Sequence, residues 1–155
     1  MSKSVRRVAR ALEEAGLENT IREAGAARTA EEAARACGCE IDQIVKSIIF
    51  CGTRSGAVRL FLTAGGNRVA ADKASALAGE DLARADANLV RAQTGFAIGG
   101  VAPFGHLTPP TVWMDPRLCD FARVWAAAGT PRHVFSIAPQ ALMSAASATL
   151  ADFVE

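Results

Sequence analysis

Two apolar segments on either side of a short polar turn constrain the fold more than any other feature of this chain. The segments read IVKSIIF (44–50) and AVRLFL (57–62), and TRSG (53–56) lies between them. Branched and aromatic residues favour extended backbone, and a polar turn containing glycine between two such runs is typical of a β-hairpin. We therefore predict a hairpin, and with it a sheet, in the first half of the chain.

Helix signals surround this hairpin. Val5, Val8 and Leu12 recur at helical spacing, with Ser4 as a candidate N-cap and Gly16 as a stop. TAEE (29–32) has the pattern of a capping box, which predicts a helix that ends at Gly38. We further predict helices from Asp72 to about Gly79, from Asp86 to about Gly95 and from Pro139, and strands over 111–114, 123–127 and 133–137.

This irregular mixture of strands and helices favours a mixed α/β or α+β fold over a doubly wound sheet. The 155 residues suit a single domain, 1–155, and no apolar run reaches the ~20 residues of a membrane helix. The N-terminus lacks the apolar core of a signal peptide, so we expect a cytoplasmic protein with no membrane partner.

The four cysteines lack zinc-site spacing, so we expect reduced thiols and no metal. A formal net charge of +1 excludes a broadly basic RNA-coating protein.

Lys46 stands in the middle of the first predicted strand. Alternate residues of a strand share a face, and both faces of this strand are apolar, so the strand should be largely buried. A buried lysine is costly unless its ammonium is paired or opens into a polar cavity. Such a cavity could bind a carboxylate, a phosphate or an ester carbonyl. The alternative is a lysine that reaches past the strand edge to water.

The segment QTGFAIGGVAPFGH (93–106) holds four glycines among apolar residues. We call it the glycine stretch. Its apolar composition is unlike that of a flexible linker, and Gly99-Gly100 permits a close backbone approach. Such a loop can aim backbone amides at an oxygen atom, as an oxyanion hole does. It matches neither the dinucleotide-binding fingerprint nor the P-loop, and the alternative is a purely structural turn.

The segments QIVKSIIF, TGFAIGGVAPFGH and AGTPRHVFSIAP, in this order, resemble the YbaK/EbsC family. That family includes the editing domain of prolyl-tRNA synthetase and its free-standing relatives. The resemblance implies a compact mixed, barrel-like β-sheet surrounded by helices. It also implies hydrolysis of mischarged aminoacyl-tRNA, chiefly tRNA for proline carrying another small amino acid, with neither a cofactor nor a metal.

The resemblance assigns the catalytic site to Lys46, Gly99 and Gly100. By this resemblance, we expect the lysine to hold the nucleotide end of the tRNA and the glycine-loop backbone to position the aminoacyl group. The resemblance also implies that the backbone and a ribose hydroxyl hold the attacking water. One position departs from some relatives, which have an acidic residue where this chain has Val134. The expected substrate-binding residues are Thr29, Phe96, Ile98, Val101, Pro103, Phe104, Gly105 and His106, with His106 also a candidate for capping the turn.

The leading hypothesis is therefore a trans-editing deacylase that acts on aminoacyl-tRNA. A second hypothesis is a non-hydrolytic regulator that binds aminoacyl-tRNA or a synthetase, and a third is a small-ester or nucleotide hydrolase. A synthetase or an elongation factor could deliver the tRNA. The sequence leaves open the amino acid removed, the tRNA and the oligomeric state.

Overall fold

The computed structural model describes residues 2–155, and within them lie five α-helices, eight strands and two short 3-10 helices. The α-helices are α1 (Lys3–Glu14), α2 (Ala30–Cys37), α3 (Ala71–Ala78), α4 (Ala87–Thr94) and α5 (Pro139–Ala145). The strands are β1 (Arg22–Glu23), β2 (Val45–Gly52), β3 (Val58–Ala64), β4 (Leu82–Arg84), β5 (Thr111–Met114), β6 (Val124–Ala127), β7 (His133–Ile137) and β8 (Ala148–Leu150). The 3-10 helices are Ile41–Gln43 and Pro116–Asp120.

The strands form two sheets. The larger has the order β4-β2-β3-β5-β8, with β2 and β3 forming the predicted antiparallel hairpin and β5 and β8 added in parallel. The smaller is antiparallel, in the order β1-β7-β6. A bridge between Ile44 and Trp125 joins the two sheets. The predicted mixed α/β fold is confirmed, but the two sheets are not closed into a barrel.

Apolar side chains pack on both faces of the larger sheet. Leu60 and Leu62 of β3 belong to the main core, together with Val8 and Leu12 of α1. Phe61, on the opposite face of β3, stacks on Trp113 at a centroid distance of 5.0 Å in a second, smaller cluster. This arrangement explains why the hairpin strands are apolar on both faces.

The helix boundaries follow local chemistry. The Thr29 hydroxyl accepts a hydrogen bond from the Glu32 amide, and Gly38 ends α2 with a φ of +68°. Only half of the predicted capping box forms, because the Glu32 carboxylate accepts from the Arg28 amide. The N-cap of α1 is Ser2 rather than Ser4. Asp86 caps α4 as predicted, whereas Asp72 lies within the first turn of α3 and does not cap it.

Strands β1, β4 and β8 were not predicted. Each has only two or three residues, which is too short to show an alternating pattern. All four cysteines are free thiols. Among the residues described, no helix is both long enough and apolar enough to cross a membrane.

Candidate functional site

A cavity of about 600 Å³ lies between β2 of the larger sheet and the β6–β7 hairpin of the smaller one. Residues 45–49 of β2 have no β4 partner, so this edge of the larger sheet faces the cavity. Five segments far apart in the sequence form its walls: the start of α2, strand β2, residues 84–90, the glycine stretch and the β6–β7 turn. The lining residues that bear on binding and chemistry are Arg28, Thr29, Lys46, Ser47, Arg84, Ile98, Gly99, Val101, Thr130, Pro131, His133 and Val134.

Lys46 is half-buried in the wall of the cavity. Its ammonium donates a hydrogen bond to the backbone carbonyl of Asn67, with 2.5 Å between Nζ and O. Burial lowers the pKa of Lys46, and Arg68 lowers it further, while Asp115 and Asp42 oppose the shift. A protonated lysine has three N–H donors, so two remain for a ligand.

The turn that holds Lys46 is itself fixed by Asp115, which is 2% exposed. One carboxylate oxygen of Asp115 accepts hydrogen bonds from the Asn67 side chain (2.9 Å) and from the Ala64 amide (3.1 Å). The other oxygen accepts from the Arg117 amide at 3.0 Å. Asp115 therefore positions the carbonyl that holds Lys46. Sequence reasoning missed it, because neither its burial nor its partners can be read from the residues around it.

The glycine stretch packs against the β6–β7 turn. Gly99 has a φ of +93°, and a Cβ atom on Gly100 would lie 2.6 Å from the Cα of Thr130. Glycine is therefore required at both positions, at one for its φ and at the other for close approach. The Gly100 amide donates to the Ala97 carbonyl at 3.0 Å. Within residues 2–155, the amides of Gly99 and Val101 have no acceptor, and both residues line the cavity.

The remaining predicted site residues of this stretch do not line the cavity. Phe96, Pro103 and Phe104 are buried. Gly100 is buried behind the wall, and Gly105 lies against α1, where a Cβ atom would be 3.5 Å from Ala11. These side chains and turns hold the stretch in place. Ile98, by contrast, lines the cavity and is 59% exposed.

His106 stabilises the loop from behind. Its Nε2 atom donates to the Ala102 carbonyl at 2.5 Å, and its ring meets Phe96 edge-on at a centroid distance of 5.4 Å. Burial lowers the pKa of His106; the Ala102 hydrogen bond opposes this shift, and the charge of Arg7 adds to it. The structure thus places His106 in the turn-capping role rather than beside the cavity.

Two lining residues escaped sequence reasoning. Ser47 follows Lys46 in β2, and its hydroxyl is buried with no hydrogen-bond partner. Buried hydroxyls are usually satisfied, so this one suits a partner that the protein does not itself supply. His133, at the start of β7, also lines the cavity, with its Nδ1 atom 2.7 Å from the Thr130 hydroxyl. Neither residue type is unusual in a strand, so the sequence carried no signal for them.

The ionisable lining is one-sided. Arg28, Lys46, Arg84 and His133 line the cavity, and the lining residues described include no aspartate or glutamate. Such a cavity favours an anionic ligand, because no carboxylate competes for the cations. Among residues 2–155, no group of three histidine, cysteine or acidic side chains is placed to hold a metal ion.

Similar solved structures share this fold over nearly their whole length. One, a candidate trans-editing enzyme for prolyl tRNA synthetase, is 46% identical, with 100% of this chain and 99% of that chain covered and a TM-score of 0.93. Another, the hypothetical protein APE2540, is 27% identical, with 96% and 99% covered and a TM-score of 0.87.

Sequence comparison agrees with the structural one. The uncharacterized protein YwhH of Bacillus subtilis (strain 168) is 33% identical over 114 residues, or 74% of this chain and 72% of YwhH. The family model described as "Aminoacyl-tRNA editing domain" matches residues 24–145, which include every cavity wall. The resemblance to the YbaK/EbsC family is confirmed, and the chain belongs to the aminoacyl-tRNA editing domain family.

Proposed function

We propose that this protein is a trans-editing deacylase that hydrolyses the ester bond of mischarged aminoacyl-tRNA, with tRNA for proline carrying a small wrong amino acid as the substrate. One observation supports this above all others. Lys46, Gly99 and Val101 line the same cavity, and within residues 2–155 the amides of Gly99 and Val101 have no acceptor. A cation for the nucleotide and two amides for the ester are the groups that this reaction needs.

The nucleotide end of the tRNA binds at the cationic side of the cavity. Lys46 keeps two donors for a phosphate or ribose oxygen, and Arg28 and Arg84 line the same space. Hydrogen bonds to charged groups contribute about 1.5–3 kcal/mol each, so even one such contact would orient the substrate. Lys46 is already held by Asn67, so little side-chain freedom is lost on binding.

The ester carbonyl is directed at the glycine stretch. Water adds to the carbonyl carbon, and the oxygen gains negative charge that the amides of Gly99 and Val101 stabilise. The bond to the ribose oxygen then breaks, that oxygen takes a proton, and the free amino acid and tRNA leave. An aminoacyl ester is already activated, so positioning and charge stabilisation suffice without a nucleophilic side chain.

The amino-acid side chain meets a small apolar wall. Val101, Ala126 and Val134 line this part of the cavity, with the unsatisfied hydroxyl of Ser47 beside them in β2. A wall of this kind discriminates by size, and one methylene group is worth about 1–3 kcal/mol. We therefore infer a preference for small amino acids, and Ile98 and Thr29, which also line the cavity, are further candidates for contact with the substrate.

A panel of tRNAs, each mischarged with a small amino acid, tests the proposal. The wild type should release amino acid from at least one of them, and from correctly charged tRNA far more slowly. Lys46→Met, which keeps the aliphatic stem but removes the charge, is the matched control and should be strongly impaired. Absence of release from every tRNA would overturn the proposal, and equal activity on free aminoacyl esters would favour a small-ester hydrolase.

A second candidate is a non-hydrolytic regulator that binds aminoacyl-tRNA or a synthetase. Val134 favours it, because this apolar residue lines the cavity at the position where the family resemblance leads us to expect an acid in some relatives. Tight binding of aminoacyl-tRNA without turnover would support this candidate. Val134→Asp should then introduce turnover, whereas in a working deacylase it should change only which amino acid is released fastest.

A further inference from the structure

A concentrated positive surface lies on α1, outside the cavity. Residues 3–10 contain four cations, Lys3, Arg6, Arg7 and Arg10, and no acid, in a chain whose formal net charge is only +1. We call these four residues the α1 basic face. Their side chains border a shallow depression of about 360 Å³, and the opposite side of the helix, with Val5 and Val8, is buried in the core.

The charges of α1 oppose its helix dipole. Cations are stabilising near the C-terminus of a helix and anions near the N-terminus. In α1 the first turn has no acid and the last turn has no base, while Glu13 and Glu14 stand at the C-terminal end. Within residues 2–155, Lys3, Arg7 and Arg10 form no ion pair. Cations near the N-terminus lower the stability of α1. An external anionic partner for Lys3, Arg7 and Arg10 would explain why they stand there.

The α1 basic face adjoins the cavity walls. The Arg7 guanidinium donates to the Gly95 carbonyl at 3.2 Å and lies over the Phe96 ring at 5.4 Å. On the other side, Gly129 packs so closely on Ser4 that a Cβ atom would be 2.7 Å from its carbonyl carbon. Both the glycine stretch and the β6–β7 turn are therefore braced against α1.

We propose that the α1 basic face binds backbone phosphates of the same aminoacyl-tRNA whose amino-acid end enters the cavity, an inference that rests on the proposed function. A cavity of about 600 Å³ is far smaller than the acceptor arm of a tRNA, so most of that arm must run over the neighbouring surface. Phosphates in series complement a row of cations along a helix. Arg7 is partly engaged with Gly95, which leaves Lys3 and Arg10 as the outer contacts.

The double variant Lys3→Gln/Arg10→Gln tests this docking surface. We expect KM for mischarged tRNA to rise about tenfold at low salt with kcat unchanged. The slope of log KM against log salt concentration should fall by about 2, one for each phosphate contact removed. Hydrolysis of an aminoacyl-adenosine, which has no acceptor duplex, should be unaffected. The matched control is Arg54→Gln/Lys73→Gln, which removes two exposed cations that line neither the cavity nor α1.

The outcomes separate the two proposals. An unchanged KM and salt slope, or an equal loss on tRNA and aminoacyl-adenosine, would overturn the docking surface while leaving the deacylase intact. If the wild type hydrolyses nothing, the binding of uncharged tRNA to both proteins replaces KM as the readout. A weaker, less salt-dependent Kd for the double variant would then uphold the surface without the enzyme. Equal Kd values for the wild type and the double variant would overturn the docking surface. A double variant that binds tRNA normally but no longer binds a synthetase would also overturn it.

Discussion

The ammonium of Lys46 and the backbone carbonyl of Asn67 are joined by a hydrogen bond, and Asp115 holds the Asn67 side chain at 2.9 Å. A buried carboxylate thus fixes a turn, and the turn fixes the cation at the cavity. This chain of contacts separates Lys46, which we propose meets the substrate, from the residues that hold it in place.

Lys46→Met should lower the rate of deacylation by about 10- to 150-fold, because one charge-assisted hydrogen bond is worth about 1.5–3 kcal/mol. Single-turnover assays on mischarged tRNA measure this loss. Asn67→Ala keeps the carbonyl but loses the contact with Asp115, so its rate should fall between those of the wild type and Lys46→Met. An unchanged rate for Lys46→Met would remove this residue from the site.

Gly100→Ala should lower both stability and activity. The new Cβ atom would lie 2.6 Å from the Cα of Thr130, and overpacking of this kind costs about 1–3 kcal/mol in the free energy of unfolding. The shift moves the neighbouring amides of Gly99 and Val101, so the rate should also fall. Gly25→Ala is the control, because its φ of +74° is strained but nothing lies within 4 Å. Gly25→Ala should lower the free energy of unfolding but leave the rate of deacylation unchanged. Denaturant unfolding and rate assays on both variants distinguish these two effects.

Ser47→Ala should separate stability from function. Removing a buried hydroxyl that has no partner relieves a cost of about 1–3 kcal/mol, so the free energy of unfolding should stay level or rise. The rate of deacylation should nevertheless fall, because the cavity loses its unsatisfied polar group. Thr94→Val, which removes a hydroxyl that donates to Val90 at 2.7 Å, should instead lose about 1 kcal/mol. A destabilised Ser47→Ala protein with a normal rate of deacylation would contradict the role proposed for the Ser47 hydroxyl in the cavity.

His106 should make stability depend on pH in mildly acidic solution. Burial lowers the pKa of His106 in the folded protein below its ordinary value of 6.5. Just below pH 6.5, His106 is therefore protonated more fully in the unfolded chain than in the folded one. Stability contributed by neutral His106 should be complete above pH 6.5 and decline as the pH falls toward the folded-state pKa. His106→Gln should lack this decline. Denaturant titrations of both proteins across about pH 5 to 7.5 measure the difference, and parallel curves would refute it.

Sequence reasoning succeeded where local chemistry decides the structure. The β2–β3 hairpin, the strand Thr111–Met114 and the ends of α2 and α4 at Gly38 and Gly95 all follow from residue pattern and glycine conformation. It failed where long-range contacts decide. Asp115 and Asn67 are 48 positions apart, and nothing in the local sequence around either residue indicates that they meet.

The candidate site shows the same difference between features that the local sequence predicts and features that long-range contacts decide. Lys46, Gly99, Ile98, Val101 and Thr29 were expected at the substrate and do line the cavity. Phe96 and Phe104 belong to the same apolar segment but turn into the core. Composition alone does not distinguish a wall of a cavity from the packing behind it, because both are apolar. Whether a backbone amide finds an acceptor depends on the geometry of the turn. The hydrogen bond from the Gly100 amide to the Ala97 carbonyl therefore could not be predicted from the sequence.

The contact between Gly100 and Thr130 has a consequence for how proteins of this kind diversify. A backbone locked at that point tolerates almost no inherited change, whereas Val134 and Ile98 present side chains that can be exchanged without disturbing it. For the deacylase that we propose, duplicated genes would therefore acquire new amino-acid preferences by altering a few exchangeable positions, while the glycine backbone stays the same. Paralogues with unlike specificities would be expected to differ at these positions and to agree at the glycines.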